Sequence, residues 1–239
     1  MRYKYTTIAY NVITEKRIQL TEDGSHTVAI PSINVTYHSR HGAVQESTHV
    51  YIEAGLLYFI NHNNIAVDEA IHLLEIGFGT GLNAVLSLQQ ALKYNKKITY
   101  QTTEPFPLSS PEILKLNYKK FIHSAIAEYF YAMHTCNWNE PVALHSLFSF
   151  YKTKTTAEQF RSTQPFHIIY FDAFDPLAQP LLWTEAIFKN MFTLLHNKGI
   201  LVTYCSKGSV QRAMKAAGFS IEKLKGPPGK REILRARKL

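Results

Sequence analysis

Two stretches of the chain hold residues whose types and spacing suit ligand binding and group transfer. The first is Leu73-Leu74-Glu75-Ile76-Gly77-Phe78-Gly79-Thr80-Gly81, an apolar run opening into a G-x-G-x-G turn. Glycines let a backbone approach a ligand closely, and the N-terminus of a following helix offers free N–H groups. The second is Ile168-Ile169-Tyr170-Phe171-Asp172-Ala173-Phe174-Asp175-Pro176, which sets a carboxylate, Asp172, where an apolar run gives way to a loop. Between them, Glu104 stands 23 residues after Gly81, where an acid ending the next strand can hydrogen-bond both hydroxyls of a ribose.

A glycine turn follows many strands, so its surroundings must choose the ligand. No further glycine follows at Leu82-Asn83, as a nicotinamide dinucleotide site would have, and no G-K-[S/T] marks a phosphate loop. Glu75, just before the turn, suits a ligand with a cationic amino group better than a pyrophosphate. S-adenosylmethionine is such a ligand. The cofactor-binding set is Glu75, Gly77, Phe78, Gly79, Gly81, Asn83 and Glu104.

Asp172 is the catalytic candidate. In doubly wound sheets ligands bind beyond the carboxyl ends of the strands, so it should face the same crevice as the glycine turn. There it can accept a hydrogen bond from an attacking amine and stabilise the charge that develops on it. An ordinary Asp titrates near ~4 and is a feeble base toward an alkylammonium, which favours orientation over deprotonation. Asp175, before Pro176, shapes the turn. Phe106, Phe174 and Trp183 sit on or near strand-end loops, where they could line a pocket for a flat base; packing in the core is the competing reading. Two cysteines, Cys136 and Cys205, and eleven histidines show no metal-ligand spacing, and no metal is expected.

These residues need a sheet to bring them together. Residues 1–50 read as a β-rich extension, with Val12–Leu20 and Thr27–Ile30 flanking a Glu22-Asp23-Gly24 turn and a further extended run at Ile33–Tyr37; helical spacing begins near His49. From residue 51 to 239, strands and helices alternate. Strands are expected at His72–Ile76, Ile98–Thr103, Val142–Leu147, Phe166–Phe171 and Gly199–Cys205. Helices are expected at Leu82–Lys93, from Ser109-Ser110-Pro111-Glu112, at Trp183–Leu195 and at Val210–Ala217. Phe219–Leu224 and Arg231–Ala236 should pair across Gly226-Pro227-Pro228-Gly229. The pattern predicts an α/β, mostly parallel, doubly wound sheet with a C-terminal antiparallel hairpin.

Charge is unevenly placed. The net charge is +8, yet the first 206 residues are formally neutral; residues 207–239 hold ten basic and two acidic side chains. That asymmetry suits an anionic partner approaching one face, or else a solvated terminus. No apolar run reaches signal-peptide or membrane-spanning length, which leads to the expectation of a cytoplasmic protein without a membrane partner.

The strings LLEIGFGTGLNA, TTEPFPLS, IIYFDAFDPLAQPLLWTEAIF, GILVTYCSKGSVQRAMKAAGF and KGPPGKREILRA resemble the MnmC/MnmD-type tRNA methyltransferases. So does the upstream TYHSRHGAVQESTHVYIEAGL. The resemblance spans most of residues 35–239 and implies a class I methyltransferase fold. It implies methyl transfer from S-adenosylmethionine to the amine of 5-aminomethyl-(2-thio)uridine at the tRNA wobble position, giving 5-methylaminomethyl-(2-thio)uridine. By motif, Gly77, Gly79 and Gly81 would hold the methionine part, Glu104 the ribose, and Asp172 would be the catalytic aspartate. Tyr37, Ser39 and Glu46 would contribute to the cofactor or amine pocket. Many such proteins carry an added FAD-dependent oxidase domain; no such domain is expected here, so a separate enzyme would supply the aminomethyl precursor. The family's Gly-Asp pair, whose acid binds adenine, would fall at Ser149-Phe150. For tRNA, Lys225, Lys230 and Arg231 flank the GPPG turn as phosphate contacts, and Lys207 could reach the anticodon. A methyltransferase for another amine, small molecule or protein, and a non-catalytic RNA-binding relative, remain the alternatives.

Overall fold

The computed structural model describes residues 15–66 and 69–239. The N-terminal part forms a small antiparallel sheet in which β1 (Arg17–Leu20) pairs with β2 (His26–Ile30), and β2 with the short β3 (Val35–Thr36). Asp23 fixes the intervening turn: its Oδ1 accepts from the Thr21 hydroxyl at 2.7 Å and the Ser25 N–H at 2.9 Å. Residues 12–14 of the expected first strand lie outside the described residues. The expected run at Ile33–Tyr37 contracts to β3, because Pro31–Ile33 form a 3-10 turn and Asn34 turns left-handed at φ 51°.

Helix α1 begins at Ala43, ahead of the expected start near His49. It runs as an α-helical turn (Ala43–Ser47), a π-helical stretch (Thr48–Leu57) and a closing α-helical turn (Tyr58–His62). The wider winding joins i to i+5, so its buried residues do not follow the 3.6-residue period that sequence reading relies on. Gly55 allows close packing on the main sheet, since a Cβ there would lie 3.0 Å from the Tyr170 ring and 3.1 Å from Val202.

Among the described residues the main sheet has eight strands. In chain order they are β4 (Ile71–Ile76), β5 (Ile98–Thr103), β6 (Pro141–His145), β7 (Phe148–Thr153), β8 (Phe166–Phe171), β9 (Leu195–Thr203), β10 (Ser220–Lys225) and β11 (Glu232–Arg237). Their spatial order is β10-β11-β9-β8-β4-β5-β7-β6. The five strands from β9 to β7 are parallel; β11 and β6 run antiparallel to their neighbours. Near-continuous apolar runs make β4 and β8 the buried centre. The helices between them are α2 (Leu82–Lys93), α3 (Ser110–Leu114), α4 (Ala127–Thr135), α5 (Glu185–Leu194) and α6 (Gly208–Ala216). One apolar cluster joins α1, α2 and α4 to one face, and a second joins α5 and α6 to the other. The chain leaves β4 for β5 on one side and returns at β8 on the other, which opens a crevice at the carboxyl ends of β4 and β8.

Two expectations need correction. The segment Val142–Leu147 is not the parallel strand; it forms the edge strand β6 and the turn of a hairpin, and the parallel strand is β7. Phe148, Phe150 and Lys152 point inward at a period of two, so Ser149 and Phe150 lie inside a strand, not at its ligand-facing end. The strand-end position belongs to Thr153-Lys154-Thr155. Trp183 is not helical either. It closes a 3-10 turn (Pro180–Trp183), and Thr184 caps α5 by accepting from the Ile187 N–H.

Candidate active site

The glycine turn follows β4 into α2. Gly77 sits at φ 94° and Gly79 at φ 49°, both in the left-handed region. A Cβ at Gly77 would fall 2.7 Å from the Asp172 carbonyl oxygen, and one at Gly79 would fall 2.9 Å from the Tyr37 ring. Glycine is therefore required twice, by conformation and by space. The Phe78 side chain turns inward against Phe150 and His134 and is 3% exposed, so only its backbone faces the turn.

Glu104, after β5, accepts from the Gly79 N–H at 2.9 Å through Oε2 and from the Phe106 N–H at 2.8 Å through Oε1. Burial raises its pKa, and these two backbone bonds oppose that rise. Each carboxylate oxygen retains a lone pair for a further donor such as a ribose hydroxyl.

Glu75 is fully buried, beneath the floor of the crevice. It accepts from Asn83 Nδ2 and from the Thr102 hydroxyl, both at 3.0 Å. Burial and the nearby Asp172 charge hold its pKa well above the carboxylate range. Asn83, in the first turn of α2, also donates through Nδ2 to Asp172 Oδ2 at 2.8 Å, so one amide bridges two carboxylates. Its own amide oxygen is buried without a donor among the described residues. The glycine cradle, the acid at Glu104 and this orphaned acceptor fit a ligand bringing hydroxyl and amino donors.

Asp172 lies just beyond β8, its N–H donating to the Ile76 carbonyl at 3.0 Å. Burial pushes its pKa up to about 7; Glu46 adds to the rise, while Tyr51, Asn83 and Lys230 oppose it. The ordinary value near 4 assumed from sequence does not hold here. Tyr51, 1% exposed on the π-helical stretch of α1, has no sequence signal, because no regular period marks it as inward-facing.

Beside Asp172 opens a cleft of about 250 Å³, lined by Tyr37, Ser39, Glu46, Phe174, Tyr204 and Lys230 among others. Tyr37 meets Phe174 edge-on at 5.0 Å. Glu46 Oε2 accepts the Ser39 N–H at 2.7 Å, and Glu46 Oε1 lies 2.9 Å from Lys230 Nζ. The structure thus brings Tyr37, Ser39, Glu46 and Phe174 to one place. It does not bring Trp183, which is 5% exposed, packs on Phe171, and holds the cleft wall from behind by donating Nε1–H to the Phe174 carbonyl at 2.8 Å. Phe106 contributes its backbone to Glu104 and is not among the residues lining this cleft. Tyr204 and His38 also escaped sequence reading. Tyr204 donates to the Ala173 carbonyl at 2.9 Å, and His38 Nε2 bonds the Thr80 hydroxyl at 2.7 Å, tying the N-terminal segment to the glycine turn.

The basic C-terminus is largely committed within the fold. Lys230 faces the cleft, and Lys207 pairs with Asp175 at 2.6 Å. Arg235 and Arg237 share Glu222, and Lys223 pairs with Glu232. Lys225 and Arg231 are exposed at the hairpin tip with no ion pair among the described residues. No helix of the described residues is long and apolar enough to cross a membrane.

Residues 117–239 match the family described as S-adenosyl-L-methionine-dependent methyltransferase. The chain is 26% identical over 214 residues to the tRNA 5-methylaminomethyl-2-thiouridine biosynthesis bifunctional protein MnmC of Methylobacillus flagellatus, covering 83% of this chain and 32% of that protein. It is 27% identical over 232 residues to the protein of the same name from Burkholderia mallei, covering 89% and 34%. The chain thus spans about a third of the length of these relatives. The crystal structure of MNMC2 from Aquifex aeolicus superposes with a TM-score of 0.75 at 20% identity, covering 99% of this chain and 77% of that one. That likeness establishes the fold.

Proposed function

The chain belongs to the S-adenosyl-L-methionine-dependent methyltransferase family, and from that membership we propose that it methylates the amine of 5-aminomethyl-(2-thio)uridine at the tRNA wobble position. The product is 5-methylaminomethyl-(2-thio)uridine. The activity named for the MnmC relatives supports the RNA substrate. The observation that carries the chemistry is a buried carboxylate, Asp172, with its pKa raised to about 7 beside an aromatic cleft at the sheet's switch point.

Bound S-adenosylmethionine supplies a methyl group on a sulfonium sulfur. Gly77, Gly79 and Gly81 would take its methionine part and Glu104 its ribose, while Glu75 and Asn83 hold the floor of the site. A primary amine reaches the cleft as an ammonium and must lose one proton before its lone pair can attack. Asp172, poised near neutrality, accepts that proton. The amine nitrogen then attacks in line, and the product leaves as a secondary ammonium with no further proton loss. Tyr37 and Phe174 would stack on the extruded base and exclude water.

Lys225 and Arg231, exposed at the hairpin tip, would meet flanking phosphates, whereas Lys207 and Lys230 are engaged by carboxylates. Making the aminomethyl group is a different chemistry, which we assign to a separate enzyme, and the setting to the cytoplasm. The test is methyl transfer to tRNA from cells unable to complete this modification, read by nucleoside mass analysis. Wild type should add one methyl to the aminomethyl nucleoside and Asp172→Ala should lose at least about a hundred-fold in rate. Equal product from both would overturn the catalytic assignment.

A further inference from the structure

The Glu46–Lys230 pair takes no part in the proton and methyl transfers, yet it lies inside the cleft. Lys230 Nζ stands 2.9 Å from Glu46 Oε1 and 3.8 Å from the Tyr204 ring centroid. The two side chains are 25% and 7% exposed. Both ends are braced. Glu46 rides on the first turn of α1 and holds the Ser39 N–H. Lys230 closes a turn in which its N–H donates to the Pro227 carbonyl at 2.9 Å and the Gly226 N–H donates to the Arg231 carbonyl at 3.0 Å. Gly229 lies so close to His41 that no side chain fits there. The GPPG turn therefore serves to insert Lys230 into the cleft.

The charged and titratable groups around the pair come from three places. The strand-end loops bring Asp172, Asp175, Tyr204, Cys205 and Lys207; α1 brings Tyr51; the N-terminal segment brings Asp23, His38 and His41. Asp175 is taken by Lys207, Asp23 by its turn, and His41 by Glu22. His38, fully enclosed, has its pKa lowered by burial to about 4 and is neutral. Burial pushes Tyr51, Tyr204 and Cys205 upward, which keeps them protonated. Among the described residues, Asp172 is thus the carboxylate open to an amine in the cleft, and Glu46 would join it if Lys230 were absent.

Two carboxylates create a hazard for amine chemistry. An ammonium paired with a carboxylate in a sheltered site has its pKa raised by about 1–3 units, and without a free lone pair it cannot attack. We propose that Lys230 is a positioning residue of the acceptor pocket: its ammonium occupies Glu46, so the substrate amine is not trapped there and presents its nitrogen to Asp172. The proposal rests on the amine-methyltransferase reading. The proton passes from the amine nitrogen to an Asp172 oxygen. The freed lone pair forms the N–C bond as the C–S bond breaks and its electrons stay on sulfur.

The experiment measures single-turnover methyl transfer to aminomethyl-bearing tRNA from about pH 5.5 to about pH 9.5, where the acid limb reports groups in the bound complex. Lys230→Met should move that limb up by about one unit, a roughly ten-fold loss on the acid side that disappears at high pH. Glu46→Gln should move it the other way, and the double variant Lys230→Met/Glu46→Gln should return toward wild type. Lys230→Arg should keep the wild-type limb. An unshifted limb in Lys230→Met, or a double variant as impaired as Lys230→Met at every pH, overturns the proposal. If Lys230→Met does not fold by circular dichroism, Glu46→Gln decides alone, and a limb that stays or rises overturns it. Wild type that binds the cofactor by calorimetry yet methylates no such tRNA overturns the acceptor assignment and this proposal with it.

Discussion

Asp172→Asn should end methyl transfer and yet make the protein more stable at alkaline pH. In the fold Asp172 titrates at about 7 rather than at its ordinary 3.8, because burial penalises the carboxylate. A raised folded pKa favours the protonated form. Its contribution to stability is therefore complete below about pH 4 and is lost as pH climbs through 7. The gap of about 3 units corresponds to about 4 kcal/mol, of which about 3 kcal/mol is lost between pH 5 and pH 8.5. Asparagine stays neutral throughout and keeps the size of the side chain. The Asn83 amide can rotate to offer it the oxygen that now lacks a donor.

Urea unfolding of wild type and Asp172→Asn, without cofactor, at pH 5, 6, 7 and 8.5 supplies the assay. The stability difference should swing by about 2–3 kcal/mol in favour of the variant as pH rises over that range. Parallel curves would refute the reasoning. Asp172 would then titrate near 4, and its service as the proton acceptor would fall with the raised pKa.

Three further outcomes can be checked with purified protein. Gly77→Ala forces a Cβ to 2.7 Å from the Asp172 carbonyl at φ 94°; at a strain of about 1–3 kcal/mol, cofactor binding by calorimetry should collapse while circular dichroism stays folded. Lys225→Ala/Arg231→Ala should flatten the logarithmic salt dependence of tRNA binding by about 2 and leave cofactor affinity unchanged. Arg235→Met removes a guanidinium that is 6% exposed, bonds Glu222 and the Ala54 carbonyl, and stacks 3.3 Å over Tyr58; Glu222 keeps Arg237 as a partner, so chemical unfolding should show a loss of about 1–3 kcal/mol, with the salt slope of tRNA binding unmoved.

Which parts of this site a reader of the sequence can see follows from how far each depends on distant chain. Gly77, Gly79, Glu104 and Asp172 are legible because strand ends and loops are local features, and a doubly wound sheet carries all strand ends to one crevice. Tyr51 is hidden because α1 winds with a wider period than the one used to find helix faces. His38 and Tyr204 are hidden because their partners, the Thr80 hydroxyl and the Ala173 carbonyl, lie 42 and 31 residues away in the chain. The β6–β7 hairpin is hard to see because its turn, His145-Ser146-Leu147, carries no Gly, Pro, Asn or Asp to mark it, and Ser149 and Phe150 are misplaced with it. Trp183 has the residue type of a base platform and the position of a core anchor; only packing separates the two.

Lys230 shows the limit most clearly, because sequence fixes a charge but not its partner. The excess of +8 carried by residues 207–239 suggests a broad basic face. Within the fold, Arg235, Arg237 and Lys223 answer the segment's own Glu222 and Glu232, while Lys230 and Lys207 reach back to Glu46 and Asp175. Lys238 caps carbonyls at the end of α5, donating to Phe192 and Leu195. Arg212, Lys215, Lys225 and Arg231 are left exposed and without an ion pair among the described residues, two on α6 and two at the hairpin tip. A tRNA bound there would release counterions for about two to four phosphates rather than ten, and the salt slope should be correspondingly shallow. Recognition must then lean on the cleft itself, where Lys230 turns a surplus cation into part of the acceptor pocket.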